Sequence, residues 1–191
     1  VRVAIGEEFG LPAGKNTIGK IFTALRMLGF DTVFDTSFSA DLTVIEEANE
    51  LLYKLKNGEQ KYPLGNSLPL FTSCCPAWVR FVETKYPELL PYVSTCKSPM
   101  EMFGAVLKEY YKPADEEAGM ETVSVAVMPC VAKKHEAARE EFKRNEVPDV
   151  DYVITTKELI LMIKELGIQF DEIEPSAPDM PFSINSGAGV I

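Results

Sequence analysis

Apolar residues recur along this chain in two alternating rhythms. From Thr17 they fall at Ile18, Ile21, Phe22, Leu25 and Leu28, the spacing of one helix face, with Thr17 placed to cap the helix and Gly29 to end it. The same spacing at Leu42, Ile45, Ala48, Leu51, Leu52 and Leu55 predicts a second helix over 41–56, ending near Gly58. Further helices are predicted over 76–86, over 100–111 behind a Ser98 cap and Pro99, over 133–144, and over 157–166 between Thr156 and Gly167. Short β-branched or aromatic runs separate them, at 1–6, 32–35, 68–72, 122–128 and 150–155. Residues 7–16 and 170–191 are expected to be loop, and 112–121 an acidic, solvated connection.

Strands alternating with helices predict an α/β fold, a parallel sheet of about five short strands with helices on both faces, in a single lobe over residues 1–191. Ligands of such sheets gather at the carboxyl ends of the strands. Cys74 and Cys75 follow the run at 68–72, and Cys130 follows the run at 122–128 behind Met128 and Pro129. Two strand ends built alike, each passing through proline and cysteine into a helix, point to one shared site. The plainer reading of the adjacent cysteines is two small buried hydrophobes.

Composition narrows the chemistry. The 191 residues carry 29 acidic and 19 basic side chains, a net charge of −10, which argues against a nucleic-acid partner. No apolar run approaches the roughly 20 residues of a membrane span, and no secretory signal opens the chain. Four cysteines without such a signal suggest metal or redox chemistry in a reducing, cytoplasmic setting rather than structural disulfides. Both ends look cut, with a strand already under way at Val1 and a glycine-rich turn just before Ile191, as in a piece of a longer polypeptide.

Thiolates suit zinc, copper(I) or iron–sulfur clusters, and Cys75 with Cys130 could share one centre, although neither stands in a C-x-x-C pair. Cys96 is expected to be a packed loop thiol. Glu46 and Glu50, one turn apart, are most simply a solvated face, whereas Glu47 borders the apolar stripe and could act in proton relay if buried. Lys133 could face an anionic ligand of the same metal, or simply be exposed. His135 is the sole histidine, so a histidine-rich metal site is excluded. The glycines near the start lack the spacing of a dinucleotide fingerprint.

Two segments carry a resemblance to a known family. Thr72-Ser73-Cys74-Cys75-Pro76-Ala77-Trp78 resembles the first signature of the iron-only (FeFe) hydrogenases, and Met128-Pro129-Cys130-Val131-Ala132-Lys133-Lys134-His135-Glu136 resembles the second. The likeness extends, in family order, through residues 1–9, 40–48, 97–99, 151–156 and 186–191. It implies one lobe of the FeFe-hydrogenase catalytic domain and reversible reduction of protons to hydrogen. The implied cofactor is the H-cluster, a 4Fe–4S cubane joined through a cysteine sulfur to a diiron unit with CO, cyanide and a bridging dithiolate amine.

Carried over by position, Cys75 and Cys130 would ligate the cubane, and Cys74 would be the proton-transfer thiol. Glu47, Ser94 and Glu50 would continue the proton path to Lys54 at its mouth, where the family often has arginine. Lys133 would donate to a cyanide, Met128, Pro129 and Pro99 would wall the diiron unit, and Glu136 matches a further acidic position. The third signature, with the other two cubane cysteines, is not in these residues. The resemblance therefore implies partners, namely an electron carrier such as ferredoxin, or NADH through partner subunits, and the missing C-terminal half. The 191 residues alone are expected to be inactive and free of cluster. A hydrogenase-like iron–sulfur assembly or sensory protein is the alternative.

Overall fold

The computed structural model describes residues 1–57 and 68–181. Its helices are α1 (Ile18–Met27), α2 (Ser37–Asn57), α3 (Pro76–Lys85), α4 (Pro99–Tyr110), α5 (Lys112–Glu117), α6 (Ala132–Ala137) and α7 (Thr156–Glu165). Its strands are β1 (Val125–Met128), β2 (Lys143–Arg144), β3 (Val147–Pro148) and β4 (Tyr152–Thr155). The class is α/β, with β1 and β4 parallel and in register from Val125 opposite Tyr152 to Met128 opposite Thr155. The described residues divide into two compact units, one of 1–35, 125–134 and 152–181, the other of 36–57, 68–124 and 135–151. No helix among the described residues is long and apolar enough to cross a membrane.

Several elements differ from the sequence expectation. Among the described residues the parallel sheet has two strands rather than about five. The run at 1–6 closes on itself, with the Ala4 and Ile5 amides both donating to the Val1 carbonyl, and then enters a 3-10 helix, Gly6–Phe9. The runs at 32–35 and 68–72 make one parallel bridge each, Phe34 to Asp179 and Phe71 to Val93. A β-branched run becomes a strand only where a partner edge lies alongside, and these three have little or none. The connection at 112–121 begins with α5, and the helix expected over 133–144 stops at Ala137. Beyond it β2 and β3 form a hairpin whose turn residues, Asn145 and Glu146, both have positive φ (51° and 65°), the geometry of the tight primed turn. The end of α2 at Gly58 and the motif at 186–191 lie outside the described residues.

The first unit has a dry core. Ile21, Phe22 and Leu25 of α1 pack with Leu159, Ile160 and Ile163 of α7, and with Ile5, Val33, Ile168 and Phe170. Gly29 terminates α1 with φ 97°, a conformation costly for other residues. At the start of α7 the cap is Thr155 rather than Thr156. Its hydroxyl accepts the Glu158 amide, and the Glu158 carboxylate accepts the Thr155 amide in return. The polar side of α1 holds the loop at 170–181. Lys20 donates to the Asp171 and Ile173 carbonyls, and Arg26 pairs with Asp179 at 2.9 Å.

The second unit is polar inside. On α2 the buried residues include Ser39, Thr43, Glu50 and Lys54, while Val44, Ile45, Leu52 and Leu55 are each at least half exposed. The Thr43 hydroxyl reaches Met102 of α4, and Phe38 meets Phe103 edge-on. Gly104 lets α4 approach the backbone at Asp149, where a Cβ would come within 2.4 Å of the Asp149 carbonyl oxygen. Lys97 pairs with Asp149, and Lys108 pairs with Asp151 at 2.5 Å.

Candidate functional site

The Cys74–Cys75 corner belongs to the second unit and is held by a single parallel bridge. The Phe71 amide donates to the Tyr92 carbonyl at 2.8 Å, and the Ser94 amide donates to the Phe71 carbonyl at 2.7 Å. The Ser73 hydroxyl then donates to the Cys96 carbonyl at 2.6 Å, fastening the residue before Cys74 to the neighbouring segment. Cys75 keeps extended backbone as the N-cap of α3, and Pro76 opens the helix. Trp78 packs edge-on against Phe71. Both Cys74 and Cys75 are exposed, so they are not the buried hydrophobes that an adjacent pair would otherwise suggest.

Glu50 is the centre of the polar interior. It is 3% exposed, and the expectation of a solvated face for it is wrong. Lys54, one turn on, places its ammonium 3.0 Å from Glu50 Oε1, with the two side chains 2% and 1% exposed. Lys54 is therefore buried rather than at an open mouth. On the other oxygen, the Ser94 hydroxyl donates to Oε2 at 2.6 Å, and the Thr95 amide approaches at 3.2 Å. Cys96 adds its thiol, 3.6 Å from Oε2, and its amide donates to the Ser94 hydroxyl at 3.1 Å. Burial above all, with the Glu50 and Glu47 carboxylates and against the Ser94 hydrogen bond, pushes the Cys96 thiol up to about 11. Glu47, half-buried on the same helix, has a buried Oε1 that meets no hydrogen-bond donor among the described residues. Such an oxygen calls for a hydrogen-bonding partner such as water.

The other strand end lies in the first unit. β1 finishes at Met128, opposite Thr155, and Pro129 and Cys130 follow directly, both exposed. The Cys130 carbonyl accepts the Lys133 amide at 3.2 Å, turning the chain into α6 with Lys133 half-buried. Pro99, the first residue of α4, is half-buried, and Glu136 on α6 is 3% exposed.

Of the residues singled out in the sequence, Glu50 and Ser94 are in direct contact, and Glu47 and the two adjacent cysteines share their unit. Cys130, Lys133, Met128 and Pro129 occupy the other unit. Sequence reasoning missed Cys96 as part of the Glu50 cluster. The signal was its position two residues after Ser94, close enough for its amide to reach the Ser94 hydroxyl. Among the described residues, no group of three or more His, Cys, Asp or Glu gathers as a metal site.

The model of the family described as iron only hydrogenase large subunit, C-terminal domain, matches residues 1–191. The chain belongs to this family. It is similar to the NADP-reducing hydrogenase subunit HndD of Solidesulfovibrio fructosivorans, 46% identical over 194 residues, which cover 100% of this chain and 32% of the relative. It is also similar to a solved variant of the FeFe-hydrogenase HydA1 from Chlamydomonas reinhardtii, with TM-score 0.83 and 44% identity over 100% of this chain and 46% of that one. A more distant relative is the cytosolic Fe-S cluster assembly factor narfl of Danio rerio, 32% identical over 95% of this chain and 44% of the relative. The chain thus spans less than half the length of each of these relatives.

The family's hydrogenases hold iron–sulfur groups, and the donor chemistry here fits in part. Cys75 and Cys130 are exposed thiols at structured corners, and thiolates are the ligands that cubanes take. Two thiolates are half of the four that a cubane takes.

Proposed function

We propose that this chain is part of the catalytic domain of an FeFe-hydrogenase, a protein that reversibly joins two protons and two electrons into hydrogen. The observation that carries the proposal is the buried cluster of Glu50, Ser94 and Lys54, in the unit that also holds Cys74 and Cys75. An assembly protein that only carried a cubane would have no use for a buried carboxylate chain or for a second cysteine beside the ligand. The relative from Danio rerio keeps that assembly reading as the second hypothesis.

Cys75 and Cys130 would bind the cubane as thiolates, and Lys133, Met128, Pro129 and Pro99 would line the diiron unit. When bound, the cluster supplies the electrons and the iron at which hydrogen forms. Cys74 is exposed and would be the thiol that passes protons. Glu47, whose Oε1 meets no donor among the described residues, would be the next group to take the proton. Ser94 both accepts, from the Cys96 amide, and donates, to Glu50 Oε2, so its hydroxyl can pass a proton along while Glu50 takes it. Lys54 balances the Glu50 charge in the buried state. Electrons would arrive from a carrier such as ferredoxin, or from NADH through partner subunits.

The test is hydrogen evolution by the full-length protein, matured with its cofactor and supplied with a reduced electron donor. Turnover is expected. Stable iron binding without turnover would transfer the chain to the assembly reading. The 191 residues alone, with two of four cubane thiolates, are expected to give no hydrogen after the same maturation.

A further inference from the structure

The four donors around Glu50 are unequal. Three are an ammonium, a hydroxyl and a backbone amide, groups that hold a carboxylate firmly. The fourth is the Cys96 thiol, a weak donor 3.6 Å from Oε2, the oxygen that also accepts from Ser94. Cys96 makes two further contacts through its backbone. Its amide donates to the Ser94 hydroxyl, and its carbonyl accepts from Ser73, the residue before Cys74. One residue therefore touches Glu50, Ser94 and the loop that carries the paired cysteines.

The geometry points to Cys96 as a positioning residue of the proton path, which sets the Ser94 hydroxyl and the Glu50 carboxylate in register with the Cys74 loop. This rests on the relay reading given above. The amide of Cys96 occupies one lone pair of Ser94, which directs the Ser94 proton toward Glu50 and leaves the remaining lone pair to accept. The thiol steadies the same Glu50 oxygen without competing strongly for it, so Oε2 stays able to take a proton. The charged groups that bear on the thiol all come from α2, namely Glu50, Glu47 and, through Glu50, Lys54. With its titration pushed up to about 11, Cys96 remains a neutral donor at physiological pH.

Two measurements on the full-length, matured protein test this. The first is infrared spectroscopy of the S–H stretch of Cys96, assigned by its loss in Cys96→Ser. Glu50→Gln is expected to move that band to higher frequency, because a neutral amide oxygen is a weaker acceptor than a carboxylate. A band that does not move overturns the contact. The second compares hydrogen turnover at constant iron content. Cys96→Ala is expected to slow turnover about fivefold, the loss of one modest hydrogen bond, and Cys96→Ser to recover it to within about twofold. Wild-type turnover in Cys96→Ala, or equal slowing in both variants, overturns the positioning role. If the wild-type protein evolves no hydrogen, the relay reading fails while the infrared result still decides whether Cys96 and Glu50 are coupled.

Discussion

The two units of this chain solve the problem of an interior in opposite ways. In the first, α1 turns Ile21, Phe22 and Leu25 inward and its Lys20 and Arg26 outward, and the three join a core cluster of apolar side chains. In the second, α2 has a weaker apolar stripe and leaves most of it exposed. Leu52 is 50% exposed and Leu55 59%, while Glu50 and Lys54 are buried. Burying charges costs several kcal/mol each, and even a well hydrogen-bonded pair such as Glu50–Lys54 does little more than repay that cost, so an interior of this kind needs a reason beyond stability. The candidate proton path supplies one. The comparison teaches that amphipathic spacing marks two faces of a helix without telling which faces inward.

The largest effects are expected at the two interiors. Phe170→Ala in the first unit should cost about 3–5 kcal/mol by leaving a cavity. Lys54→Met in the second should cost a similar amount, about 3–5 kcal/mol, by stranding Glu50 as a buried charge. The double variant Glu50→Gln with Lys54→Met should recover most of that loss, as measured by urea unfolding. Failure to recover would show that the pair is held by packing rather than charge. Gly104→Ala should destabilise by at least about 1–3 kcal/mol, because a methyl cannot fit against the Asp149 backbone. The smallest effect is expected on the α2 stripe. In the 191-residue chain, Leu52→Gln with Leu55→Gln should change stability by no more than about 0.5 kcal/mol and lower binding of a hydrophobic dye. Leu25→Gln in α1 is expected to unfold the first unit. Equal outcomes on the two helices would erase the contrast between them.

Much of the first unit was legible in the sequence. The apolar spacing of α1 and α7 gives both helices to within two residues, and the cysteine at the end of β1 follows from a β-branched run meeting Pro129. That the runs at 1–6, 32–35 and 68–72 would not become strands was not legible, since pairing depends on a partner edge as well as on β-propensity. The hairpin of β2 and β3 was hidden because its turn, Asn145-Glu146, lacks the glycine that usually signals positive φ. In the site, Glu50 misled because a glutamate one turn from another on a helix is ordinarily solvated. Its burial depends on Ser94, Thr95 and Cys96, more than forty residues away in sequence. The motif around Cys74 and Cys75 pointed to the family, but the anchoring of that corner by Ser73 and Cys96 needed coordinates.

The proposed function gives the two adjacent, exposed cysteines separate tasks, with Cys75 holding iron and Cys74 passing protons. Cys74→Ser and Cys75→Ser, each in the full-length matured protein, should be compared for iron content and hydrogen turnover together. Cys74→Ser is expected to keep its iron and lose at least about a hundredfold in turnover, the scale of a lost acid–base group. Cys75→Ser is expected to lose both. Parallel loss of iron in the two variants, or full turnover in Cys74→Ser, would contradict the assignment.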